Sequence, residues 1–174
     1  MALAVCLLFD DSTDRMLRRL WQRLEDAGIA TLLTHTHRNH VAHLSYAVLR
    51  EYDTDRVADA LEALPDHPAH TLTFDAVGLF RRGRASLVPA PSADLLARQE
   101  RVVRVAQETG AQLHRHYRPG LWTPHCTLSP RVRREELPRL VSEVYDLLPV
   151  SASVVGAALV DTTTGGRRRL VTLP

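Results

Sequence analysis

His43-Leu44-Ser45-Tyr46-Ala47-Val48-Leu49 and His125-Cys126-Thr127-Leu128-Ser129 are two short apolar runs that each begin histidine, apolar residue, hydroxyl residue. Alternate side chains of a strand point to one face, so His43 shares a face with Ser45, and His125 with Thr127. Leu44, Tyr46 and Val48, like Cys126 and Leu128, turn to the opposite layer. The surroundings of the two runs also correspond. A helix ending in glycine, Gly28 or Gly110, leads through an irregular histidine-rich stretch to the run, and a further helix follows. A spacing of roughly 82 residues marks an imperfect duplication, not a short-period solenoid.

The rest of the chain fills in around these runs. Ala2 to Phe9 reads as a strand, stopped by Asp10, Asp11, Ser12 and Thr13, any of which can cap the next element. Leu17, Leu20, Trp21 and Leu24 recur at helical spacing, which places Trp21 in the core of an amphipathic helix. Ile29 to Leu33 is a short strand candidate. A helix capped by Asp53 or Thr54 runs to Leu64. His70 to Phe80 and Ala85 to Pro89 form strands joined by the basic turn Arg81-Arg82-Gly83-Arg84. Ser92 opens the longest helix, another runs from about Glu135 to Leu148, and strands Ser151 to Val160 and Arg168 to Leu173 flank a Thr164-Gly165-Gly166 turn. Helices interspersed with hairpin-linked strands predict an α+β protein: a bilobal duplicated fold with two mainly antiparallel sheets, flanking helices and a central cleft. Residues 1–174 then form one domain of two pseudo-symmetric lobes that can exchange terminal strands.

Composition excludes several classes. The 174 residues are 45% hydrophobic and 24% charged, which suits a packed globular chain. Basic residues, all of them arginine, number 22 against 20 acidic, so no overall field favours nucleic acid or a membrane surface and any anion must be met locally. Cys6 and Cys126 are the only cysteines, which excludes a disulfide scaffold and leaves a cytoplasmic location as the expectation. No run approaches the roughly 18 apolar residues of a membrane span. The leading apolar run lacks a basic leader and reads as a strand, not a signal peptide. Nothing in the sequence implies a protein partner.

If the halves pack about a pseudo-two-fold axis, two imidazoles and two hydroxyls face each other across the cleft. One neutral imidazole can take a proton from water or a hydroxyl while the other, as imidazolium, protonates a leaving oxygen. Hydroxyl donors aimed at non-bridging phosphate oxygens stabilise charge developing there, and no metal or other cofactor is required. The pair therefore predicts phosphodiester hydrolysis or transfer.

These residues, with the leading strand and helix from Ala4 to Gly28, resemble the 2H phosphoesterase superfamily, specifically its 2′-5′ RNA ligase and cyclic phosphodiesterase-like group. The resemblance implies that His43 and His125 are catalytic and that Ser45 and Thr127 hold the phosphate. It also implies metal-independent chemistry on RNA ends or small nucleotides bearing 2′,3′-cyclic or 2′-5′ phosphodiesters, with hydrolysis favoured over ligation. Many relatives carry an arginine shortly after the second motif; here Pro130 intervenes and displaces Arg131, which is kept as a candidate substrate contact. Tyr117, Arg118 and Trp122 precede the second motif and are further candidate substrate contacts, with Trp122 also suited to anchoring its loop. His40 joins them from the histidine-rich loop.

Two alternatives follow from the same residues. A nucleotide- or RNA-binding module would keep the cleft without efficient turnover. His35, His37 and His40 resemble the His-x-His-x-Asp-His zinc site of the metallo-β-lactamase fold, although Asn39 stands where a carboxylate is needed. The arginines at 81, 82 and 84, and at 167 to 169, lie on turns, where charge ordinarily serves solubility.

Overall fold

A computed structural model describes all 174 residues, and its order of elements is antiparallel strands interleaved with helices. β1 (Leu3–Phe9) enters α1 (Asp11–Asp26), whose N-cap Asp10 accepts from the Thr13 N–H at 2.9 Å. The helix buries Thr13, Leu17, Leu20, Trp21 and Leu24, the stripe that its sequence spacing predicts. It ends at Gly28, whose φ of +83° suits glycine, and the Ile29 N–H returns to the Leu24 carbonyl at 2.8 Å.

The strand expected over Ile29 to Leu33 does not form. Ile29 and Leu32 are buried, but the Glu25 carboxylate ties down the hydroxyls of Thr31 and Thr34 at 2.7 and 2.8 Å and curls this segment into turns. Apolar residues at these positions serve burial without serving a ladder.

β2 (His43–Leu49), α2 (Thr54–Glu62), β3 (His70–Phe80), β4 (Arg84–Pro89) and α3 (Ala93–Glu108) follow. After a 3₁₀ turn at Arg115–Tyr117 come β5 (Cys126–Ser129), α4 (Leu137–Tyr145), β6 (Val150–Asp161) and β7 (Arg167–Arg169). The last strand is shorter than the sequence suggests. Beyond Arg169 the chain leaves the sheet, and the Leu173 N–H bonds to the Asp66 carboxylate at 2.8 Å. The last helix is also shorter than expected, its first turn being 3₁₀ over Arg134–Glu136.

The strands pair in the order β2-β1-β6-β3-β4-β5, with β7 also on β6. All the ladders are antiparallel. The two sheets expected from sequence are thus joined in one hydrogen-bonded path. The join is β6: twelve residues long, it pairs with β3 through Val150–Val154 and with β1 through Val154–Asp161. Although β2 and β5 stand at opposite ends of the path, they lie against each other, so the sheet bends back on itself. The starts of the two motif strands meet at this closure.

Candidate active site

His43 opens β2, and His125 lies one residue ahead of β5. Three bonds hold the first approach. Asp14 of α1 accepts from the Ala42 N–H at 3.0 Å, Arg18 donates to the His40 carbonyl at 2.8 Å, and Arg18 is itself paired to Asp14 at 2.7 Å. Helix and motif are therefore fixed to each other by groups on one helical face, four residues apart.

The two histidines have matching environments. His43 Nδ1 lies 2.8 Å from the Val41 carbonyl, and His125 Nδ1 lies 2.8 Å from the Thr123 carbonyl. A carbonyl can only accept, so each Nδ1 must carry the proton, and each neutral ring keeps Nε2 as its basic nitrogen. Both rings are half-buried, and desolvation lowers both pKa values from the ordinary histidine range against the opposing pull of these carbonyls. At His125, positive charge on His43 and on Arg84 lowers it further.

The hydroxyls lie on the face opposite to Leu44 and Leu128. Ser45 is buried, with Oγ 3.5 Å from Cys6 Sγ across the β1–β2 pair. Thr127 is half-buried and faces Ser86 in the β4–β5 register. Both tryptophans of the chain hold the backbone at these two residues: Trp122 Nε1 donates to the Ser45 carbonyl at 3.1 Å and Trp21 Nε1 to the Thr127 carbonyl at 3.2 Å. The cysteines are inert by contrast, since burial pushes each thiol up to about 12.

A cavity of about 280 Å³ opens at His125, lined also by Phe80, Arg84, Ser86, Tyr117 and Thr123. The Phe80 ring lies 4.8 Å from the imidazole, centroid to centroid. Ser86 Oγ is buried with no hydrogen-bond partner, and Tyr117, whose hydroxyl burial pushes up to about 12, neighbours Ser45 and Cys6. Sequence reasoning missed Arg84 and Ser86 because it assigned Arg84 to a turn. Arg84 instead begins β4, and strand alternation then places it on one face with Ser86, a signal present in the residues themselves.

The other candidates separate. Tyr117 reaches the cavity, whereas Trp122 does not serve as a stacking platform: it is buried, edge-on to Tyr46 at 5.8 Å. Arg118 is exposed and lines neither this cavity nor its neighbours. Arg131 lines a basic groove with Arg133 and Arg134 that meets the His125 cavity at Arg84. His40 lines another depression with Arg18 and Gly165, and burial together with its histidine neighbours lowers its pKa to about 4.

The zinc reading does not fit the geometry. His37 and His40 lie ring against ring at 4.0 Å, with His35 stacked 6.0 Å from His40. His37 Nδ1 accepts from the Asn39 N–H, and His40 Nε2 is engaged by the Thr36 hydroxyl. No three His, Cys, Asp or Glu side chains are arranged to hold a metal ion.

An α+β fold whose antiparallel sheet brings two histidine strands together is that of the 2H phosphoesterases. The chain belongs to the 2′-5′ RNA ligase superfamily, whose sequence model matches residues 11–166. E. coli LigT complexed with 3′-AMP is 18% identical and superposes with a TM-score of 0.61, covering 99% of this chain and 94% of that one. LigT complexed with NADP+ is 16% identical at a TM-score of 0.60 with the same coverage. Kluyveromyces marxianus Usb1 is 16% identical at 0.53, covering 99% and 98%. These likenesses are of fold. No curated protein sequence matches the chain, and no helix is long and apolar enough to cross a membrane.

Proposed function

We propose that the protein is a phosphodiesterase that opens 2′,3′-cyclic or cleaves 2′-5′ phosphodiesters on RNA ends or small nucleotides, with His43 and His125 as its acid–base pair. The carrying observation is the matched hydrogen bond from each Nδ1 to a carbonyl two residues earlier, which leaves two Nε2 atoms free for proton transfer. Nucleotide complexes of a structural neighbour accord with this reading.

In the reaction, one neutral Nε2 takes a proton from water as the water oxygen forms a bond to phosphorus. The other ring, protonated at Nε2, gives its proton to the ribose oxygen as the P–O bond breaks. The two rings end with their protonation states exchanged. Ser45 and Thr127 hydroxyls donate to the non-bridging oxygens, and Arg84, which lines the His125 cavity, offsets their charge. Each fixed donor of this kind stabilises a phosphoryl transition state by about 3 kcal/mol. The groups are complete for this chemistry without a metal or other cofactor.

The test is a panel of 2′,3′-cyclic nucleotides and 2′-5′-linked dinucleotides assayed in chelator. Turnover that falls by about 10² or more in His43→Ala and in His125→Ala supports the proposal. Binding of the same compounds with no product from any of them would identify a nucleotide-binding module instead.

A further inference from the structure

Beside the His125 cavity lies a second one of about 430 Å³, whose lining contains Arg50, Arg81, Arg82, Arg84 and Arg115, two histidines, and no acidic or apolar residue. The two cavities share Arg81, Arg84, His114 and His116 as walls. Its arginines come from four places: the end of β2, the β3–β4 turn, the first residue of β4 and the 3₁₀ turn before β5. Only the tertiary fold collects them. None makes an ion pair, although 20 acidic residues are present and other arginines of the chain do pair. Like charges gathered without counter-charge destabilise the folded chain unless an anion joins them.

The turn that carries two of them is built to stay in place. Arg82 takes a φ of +67°, costly for a side chain with a Cβ, and Gly83 follows at +73°. The Gly83 carbonyl accepts the Val132 N–H at 2.6 Å, and a Cβ on Gly83 would come within 2.5 Å of the Val132 carbonyl oxygen. Strain is thus maintained at the residue that completes the basic wall.

From these observations we infer that the arginine cavity binds a second phosphate of the substrate while the first is held between the histidines. The substrate is accordingly a polyanion, namely a strand of two or more nucleotides ending in the reactive phosphodiester. The guanidinium fork suits two oxygens of a backbone phosphate, and a wall with no apolar residue suits phosphate better than a base. This inference rests on the phosphodiesterase reading for the first phosphate only, and binding can test it separately.

The experiment compares a 2′,3′-cyclic mononucleotide with a trinucleotide bearing the same cyclic end, using the wild type and the double variant Arg50→Gln, Arg115→Gln. Both arginines are exposed and neither is paired with a carboxylate, so the variant should keep its fold, which circular dichroism checks. The wild type should prefer the trinucleotide by about tenfold or more in kcat/KM through KM, and the variant should lose most of that preference. A pyrophosphate-bridged dinucleotide with a cyclic end identifies whether the second phosphate comes from a strand or from a nucleotide polyphosphate. In parallel, the dissociation constant of a 3′-phosphorylated trinucleotide is measured against salt, and its log–log slope should fall by about 0.7 per lost phosphate contact. Equal kcat/KM on the mononucleotide and the longer substrates, or binding that the variant leaves unchanged, overturns the inference. If no substrate turns over but the variant still binds the trinucleotide less tightly, the chemistry assigned above fails and the arginine site stands.

Discussion

Replacing either tryptophan by phenylalanine should loosen the candidate active site and the fold together. Trp21 is fully buried and Trp122 nearly so, and each indole N–H ends on the carbonyl of a motif hydroxyl residue. Phenylalanine keeps the aromatic packing but removes the donor, and a buried carbonyl that loses its donor costs about 1–3 kcal/mol. The smaller ring also leaves a void of about 40 Å³, which at about 24 cal/mol per Å³ adds roughly 1 kcal/mol. The sum, about 2–4 kcal/mol, corresponds to a midpoint lowered by roughly 4–12 °C in a chain of this length. Thermal unfolding followed by circular dichroism measures it, since tryptophan fluorescence changes with the substitution itself. Turnover should fall as well, because Ser45 and Thr127 lose a support at their own backbone. A variant within 0.5 kcal/mol of the wild type (about the noise of such comparisons) would show that these bonds do not fix the motif strands.

Ser45→Ala and Thr127→Val should each cost about 10- to 10³-fold in kcat with little change in KM, read from steady-state kinetics on a cyclic nucleotide. Because the imidazoles of His43 and His125 both have lowered pKa values, the proposed acid–base pair should give kcat/KM a bell whose centre lies on the acid side of about pH 6.5, as a pH–rate profile would reveal. His40, lowered to about 4, remains neutral in the folded chain while the unfolded chain takes up a proton below about pH 6.5. Stability should therefore drop as pH falls across that window, and urea midpoints of His40→Asn should drop less; equal slopes would refute this.

The main path of the fold was readable because its strands are apolar, its helices periodic and its caps conventional. Asp10, Asp53 and Ser92 cap α1, α2 and α3 with the side-chain bonds that their positions suggest. Segments failed where tertiary partners overrode local pattern. Ile29 to Leu33 carries strand composition, but Glu25 at the end of α1 claims its polar groups. The pairing of β6 with both β1 and β3 is a contact between distant segments for which the sequence has no local signal. At the site, the two histidines and their hydroxyl neighbours stood out through repetition. Arg84 and Ser86 did not, because a one-residue difference in where β4 begins decides whether Arg84 belongs to a turn or to the cavity wall. Trp122 was undecided between two roles, and its buried indole N–H on Ser45 settles that position as an anchor.

Nuclear magnetic resonance of the His43 and His125 Nε2 atoms reads whether both imidazoles address one phosphorus. A nucleoside 2′-monophosphate titrated into protein labelled at histidine nitrogen should perturb His43 and His125 together, with one saturation curve and both pKa values moving upward as the dianion arrives. A response confined to one ring, or two curves with different affinities, would contradict it.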